Sequence, residues 1–177
     1  MNDASYRTVY EDALGKNATK EALIVDTRSN GGGNLHDDLI SFLNTKRYAE
    51  FIPRNQHLSD EPRNKWTKPS ILVMNESNYS DAHIFPMLYK ELGLGKTVGM
   101  PVAGTGTFVW WETLIDPTMV FGIPQVGYRT LKGGKFLENT QLEPDYLIAN
   151  EPALAAQGRD QQLEKAVEVL LQELPKK

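Results

Sequence analysis

The stretch from Pro69 to Leu92, PSILVMNESNYSDAHIFPMLYKEL, leaves this chain few ways to fold. Ser70 to Asn75 is a short apolar run with the length and β-branched content of a buried strand. Glu76 to Tyr79 is polar and too short for an element of its own. From Asp81 onward Ile84, Phe85, Leu88, Tyr89 and Leu92 recur at helical spacing, so a helix begins near Ser80 or Asp81. Pro86 lies in its first turns, where a missing N–H does least harm. Strand, tight turn, serine and helix together put a hydroxyl at a sheet edge beside a helix N-terminus. Unpaired N–H groups there favour a developing negative charge, which suits a nucleophile. The same residues also fit a plain N-cap made by Ser80 or Asp81.

An earlier stretch repeats the pattern. Glu21 to Asp26 reads as a strand whose continuous apolar centre predicts burial on both faces. The loop Thr27-Arg28-Ser29-Asn30-Gly31-Gly32-Gly33-Asn34 follows, then a helix through Leu35, Leu39, Phe42 and Leu43 with Asp37 and Asp38 in its first turn. Two strand–loop–helix units predict a parallel sheet with crossover helices. Three glycines let backbone N–H groups approach a ligand, as oxyanion donors or a phosphate cradle; they equally suit a flexible turn. The loop matches neither GxGxxG nor the lysine-bearing phosphate loop. Around these units the spacing predicts a first helix with Tyr6, Val9, Tyr10 and Ala13 on one face, ended by Gly15. Asn44 to Lys68 reads as a long polar connection in which Tyr48 and Phe51 anchor a short piece. Thr97-Val98-Gly99, Phe108 to Trp111 and Met119 to Tyr128 read as strands, and Gly133-Gly134 as a hairpin turn. A last helix should bury Leu163, Ala166, Val167, Leu170, Leu171 and Leu174.

Composition removes several functions. Net charge is −4 with no cluster of Lys and Arg, which argues against nucleic acid and anionic membrane as partners. The chain has no cysteine, so disulfides, thiolate metal sites and a cysteine nucleophile are excluded. A serine nucleophile needs a base. Of the three histidines, His36 after the glycine loop is the better internal candidate. His83 shares a helix with Ser80 and approaches it awkwardly, and His57 lies in the polar connection. No pair has metal-ligand spacing, and neither metal nor cofactor is expected. Residues 1–177 read as one domain, and their start almost directly in structured sequence suggests a piece of a longer polypeptide.

Taken in order, ALIVDTRSNGGGN, VMNESNYSDAHIFP, TVGMPVAGTGT and FLENTQLEPD resemble the core of the tail-specific (C-terminal processing) serine peptidases, most of all their tricorn-protease branch. The likeness spans roughly Glu21 to Leu174. It implies an α/β fold: a crotonase/ClpP-like core of βαβ units with a mixed sheet, here with a β-hairpin region added. It also implies cleavage of peptides or unfolded tails through an acyl-enzyme, and a PDZ domain upstream. By resemblance Ser80 is the nucleophile, the Asp81 N–H one oxyanion donor, and Gly32 or Gly33 the other. Glu138 is the acid that orients the serine–histidine pair; a surface carboxylate at a hairpin end is its plainer reading. Two departures stand out. Thr105 occupies the place of the processing peptidases' basic lysine, and nothing in residues 1–177 matches the helical segment that carries the tricorn-branch histidine and its partner serine. The expectation is a peptidase core that lacks its base when alone and partners with upstream domains, a peptide or unfolded substrate, and further copies of itself. The other readings are a non-catalytic peptide-binding or assembly module and an acyl-CoA enzyme of the wider crotonase group. Relatives work in the periplasm or the cytosol; the compartment leans to periplasmic or secreted.

Overall fold

The computed structural model describes residues 1–175. The elements are α1 (Asp3–Glu11), β1 (Leu23–Asp26), α2 (His36–Leu43), β2 (Ala49–Phe51), β3 (Ser59–Glu61), β4 (Ser70–Met74), α3 (Asp81–Glu91), β5 (Thr97–Gly99), β6 (Thr107–Thr113), β7 (Val120–Gly127), β8 (Tyr146–Leu147), α4 (Pro152–Ala155) and α5 (Gln161–Glu173). Strands β1-β4-β5-β8, in that order, form a sheet in which every pair runs parallel. The mixed sheet expected from the resemblance is thus corrected. The antiparallel pairs β2–β3 and β6–β7 each close on themselves as separate hairpins.

Strand β4 is the centre of the core because side chains alternate across it. Leu72 packs with Leu39, Phe42, Phe85 and Tyr89 on the α2–α3 side, while Ile71 and Val73 pack with Val98, Ala166, Val169 and Leu170 under α5. All five of its residues are buried, as the apolar run predicts. Strand β1 departs from its expectation: as an edge strand it is only half-buried. Helix α5 turns a different face inward. Ala166, Val169 and Leu170 are buried, whereas Val167 and Leu171 are exposed. The connection 44–68 holds the β2–β3 hairpin that its polar composition concealed. Among the described residues, no helix is long and apolar enough to cross a membrane.

Helix α1 starts at a capping box, Asn2 accepting from the Ser5 N–H while the Ser5 hydroxyl accepts from the Asn2 N–H. Its Tyr6 and Tyr10 rings pack on Phe42. Strands β6 and β7 pair with one bulge between Phe108 and Val109, and Trp110, Trp111, Phe121 and Val126 are exposed on them.

Candidate active site

Beyond Met74 the chain turns sharply and delivers Ser80 at φ 57°, ψ −120°, immediately before α3. A non-glycine residue there is strained by roughly 1–3 kcal/mol and persists only where the surroundings fix it. The Ser80 side chain makes no cap hydrogen bond to α3, so the plain N-cap reading fails for it. The buried Asn78 supplies one fixing point: its Nδ2 donates to Thr27 Oγ1 at 2.9 Å and to the Ala82 carbonyl at 3.0 Å. The second bond also explains Pro86. An ordinary residue at 86 would donate its N–H to the Ala82 carbonyl four residues back; proline cannot, and Asn78 fills the gap. Because the strain at Ser80 is local, Ser80→Gly should stabilise the fold by about 1 kcal/mol. Denaturant unfolding checks this; a destabilised glycine variant would show that the backbone there is unstrained.

The glycine loop lies directly against this turn. The Ser29 N–H donates to Asn75 Oδ1 at 2.8 Å, and the Tyr79 N–H to the Asn30 carbonyl at 3.0 Å. Gly32 has φ 90°, and a Cβ on it would stand 2.6 Å from the Tyr79 carbonyl oxygen and 2.8 Å from Ser80 Cβ. The Gly32 N–H is used internally, donating to Asn30 Oδ1 at 2.9 Å. Its carbonyl accepts from the Met1 amino group. The Gly33 and Asp81 N–H groups have no acceptor among the described residues.

The Asp81 side chain does not cap its own helix either. Its carboxylate is buried and crosses to the start of α2, accepting from the Leu35 N–H at 2.7 Å and from His36 Nδ1. Burial pushes the Asp81 carboxyl up, but the hydrogen bonds from His36 and Leu35 outweigh it and hold the group below the usual carboxylate range. The bond to Asp81 raises His36 above the ordinary histidine value against the opposing effect of burial. The His36 ring also stands edge-on to Tyr128 at 5.7 Å. Among the described residues, no hydrogen bond joins His36 to the Ser80 hydroxyl.

Glu138 is exposed and lines a cleft together with Tyr79, Thr105, Val109 and Trp111. The Thr105 hydroxyl points to the Ala103 carbonyl at 3.3 Å and the Asn78 carbonyl at 3.4 Å. His57 is at the surface, 2.8 Å from Asp60. His83 is wholly buried, and neither ring nitrogen has a partner among the described residues. The fold therefore gathers Ser80, Asp81, Gly32, Gly33 and His36 at one turn, while Glu138 lines a cleft that includes the neighbouring Tyr79. Sequence reading missed Asn30, Asn78 and the crossing of the Asp81 carboxylate. The available sign was Asn78 itself, an amide one turn before a helix with proline inside it.

A description of peptidase family S41 matches residues 2–148. The tricorn protease of Thermoplasma acidophilum is 35% identical over 155 residues, which cover 87% of this chain and 14% of that protein. The crystal structure of the tricorn protease superposes with a TM-score of 0.77 at 32% identity, covering 86% of this chain and 15% of that one. The photosystem II D1 C-terminal processing protease has the same fold, with a TM-score of 0.59 at 16% identity over 84% of this chain and 40% of that one. The chain thus spans about one seventh of the length of the tricorn protease it matches.

Proposed function

The chain belongs to peptidase family S41, and on that premise we propose that it is the nucleophile-bearing core of a serine peptidase acting on peptides or unfolded tails. Ser80 Oγ adds to the scissile carbonyl carbon and gives its proton to a base. The oxyanion that forms accepts from the Asp81 and Gly33 N–H groups. Collapse expels the amine, which takes the proton back, and water then releases the acyl group as a carboxylic acid. The observation that carries this reading is the strained Ser80 backbone, held over Gly32 with the side chain free of any cap bond. Gly33 is preferred over Gly32 as second donor because Asn30 already takes the Gly32 N–H.

Glu138, from the cleft it lines with Tyr79, orients the base, and the base is a histidine outside residues 1–177. Two observations support that: His36 is engaged by Asp81, and His83 is buried without a partner. The crotonase/ClpP-like description, a single core domain over residues 1–177 acting with further domains, a peptide laid along the β6–β7 hairpin, and self-association through that hairpin's exposed aromatics belong to the same proposal. The missing contact between Ser80 and any imidazole favours one other reading, a non-catalytic peptide-binding module of the same fold.

Fluorophosphonate labelling in the presence and absence of free imidazole decides between them. Imidazole stands in for the base, so Ser80-dependent labelling should be slow alone, faster with imidazole and absent in Ser80→Ala. Fast labelling without imidazole that disappears in His36→Ala would make His36 the base. No labelling under either condition would leave the non-catalytic module.

A further inference from the structure

The Asp81 carboxylate makes contacts that the proposed chemistry does not use. Its own N–H is the proposed oxyanion donor, while its side chain bonds to Leu35 and His36 at the start of α2. Leu35 and His36 directly follow the glycine loop, so a carboxylate bonded to both ties that loop to the residue after the nucleophile. Only Gly33 and Asn34 separate this tie from Gly32, where an added Cβ would come within 2.8 Å of Ser80 Cβ and 3.1 Å of the Asp81 N atom. The carboxylate also stands at the N-terminal end of α2, where the helix dipole favours negative charge. A buried carboxylate with two donors is firmly placed; one that loses a donor is not.

We infer that the Asp81 carboxylate, gripped by His36 and the Leu35 N–H, is the latch that seats the glycine loop on the Ser80 turn and fixes the spacing of the Gly33 and Asp81 N–H groups. His36 is then a positioning residue that acts through Asp81 and does not touch substrate. This inference rests on the reading of Ser80 as a nucleophile. The charged and titratable groups facing His36 are Asp81 from α3, Asp37 and Asp38 from its own helix, and Tyr128 beyond β7. The pairing is strongest with His36 protonated. As pH rises through its folded pKa the charge is lost and one neutral donor remains.

Amide NMR on this chain tests the latch without any activity. Through the His36 titration the Gly32, Gly33 and Asp81 amides should move with the His36 midpoint. In Asp81→Asn that midpoint should fall and the shared inflection vanish. Loop amides that stay flat while His36 titrates would overturn the inference. Imidazole-supported fluorophosphonate labelling supplies the second arm. His36→Ala should lower the limiting rate about tenfold to a hundredfold with the apparent reagent affinity unchanged, the size expected for donors displaced by about an ångström. His36→Asn, which keeps an N–H donor near the Nδ1 position, should recover most of that rate and lose the pH dependence. A base would be rescued by imidazole and a latch would not, so wild-type rates in His36→Ala with imidazole sink the latch. If the wild-type chain never labels, the nucleophile reading fails, and the amide titration still decides whether the latch exists.

Discussion

Gly32→Ala is expected to slow imidazole-supported labelling of Ser80 by about a hundredfold or more. Two independent features require glycine there. The backbone has φ 90°, which an L side chain rarely adopts, and the new Cβ would meet the Tyr79 carbonyl at 2.6 Å and Ser80 Cβ at 2.8 Å. These neighbours cannot yield like the end of a flexible side chain, because both belong to the turn that carries the nucleophile. Either the loop lifts away and takes the Gly33 N–H with it, or the turn moves and takes Ser80. Each route separates the serine from an oxyanion donor. Gly31→Ala is the matched control: its φ is not positive, and a Cβ there meets nothing within 4 Å. Labelling rates and unfolding midpoints of the two variants, measured together, separate a local effect from a folding defect. Equal labelling rates would mean that the contact between the loop and the turn is irrelevant to reactivity.

That contact marks where sequence reading stopped. The Pro69–Leu92 unit was legible because a five-residue apolar strand and a helical stripe have distinct periods, and both elements fall where those periods put them. The glycine run was legible as a loop, but its partner was not, since Gly32 meets Ser80 across 48 positions of chain. The carboxylate of Asp81 was hidden for a different reason. An acidic residue at a helix start fits capping so well that a cross-helix bond 46 residues away leaves no local trace. The β2–β3 hairpin was missed because its strands, AEF and SDE, are short and polar, with only Phe51 to suggest an apolar face. The α5 face was misread by about one position. Val167 and Leu171 fit the stripe, but the sheet beneath meets Ala166, Val169 and Leu170.

The largest stability effect with pH should come from His83. Its ring is wholly buried under Gly106, whose position for a Cβ lies 3.0 Å from Nδ1, and neither nitrogen has a partner among the described residues. Burial pushes its pKa down to about 4 from an ordinary value of 6.5. The sign follows from proton binding. Between these values the unfolded chain binds a proton that the folded chain refuses, so stability falls as pH drops through this window. The loss approaches about 3 kcal/mol at its acid end. Other groups leave the upper part of the window clear. His36, with its pKa raised, is protonated in both states well below 6.5, and its contribution is lost only as pH rises. Asp81, Asp145 and Asp160 are held low, so their contributions disappear only as pH falls toward and below the unfolded carboxylate value. His83→Leu keeps a side chain of similar volume and removes the titration. Its unfolding free energy should therefore be nearly flat between about pH 5 and 6, where wild type slopes. An unchanged slope in the variant would move the acid sensitivity to another group. A flat wild-type profile would mean that the buried ring finds a proton acceptor as it charges.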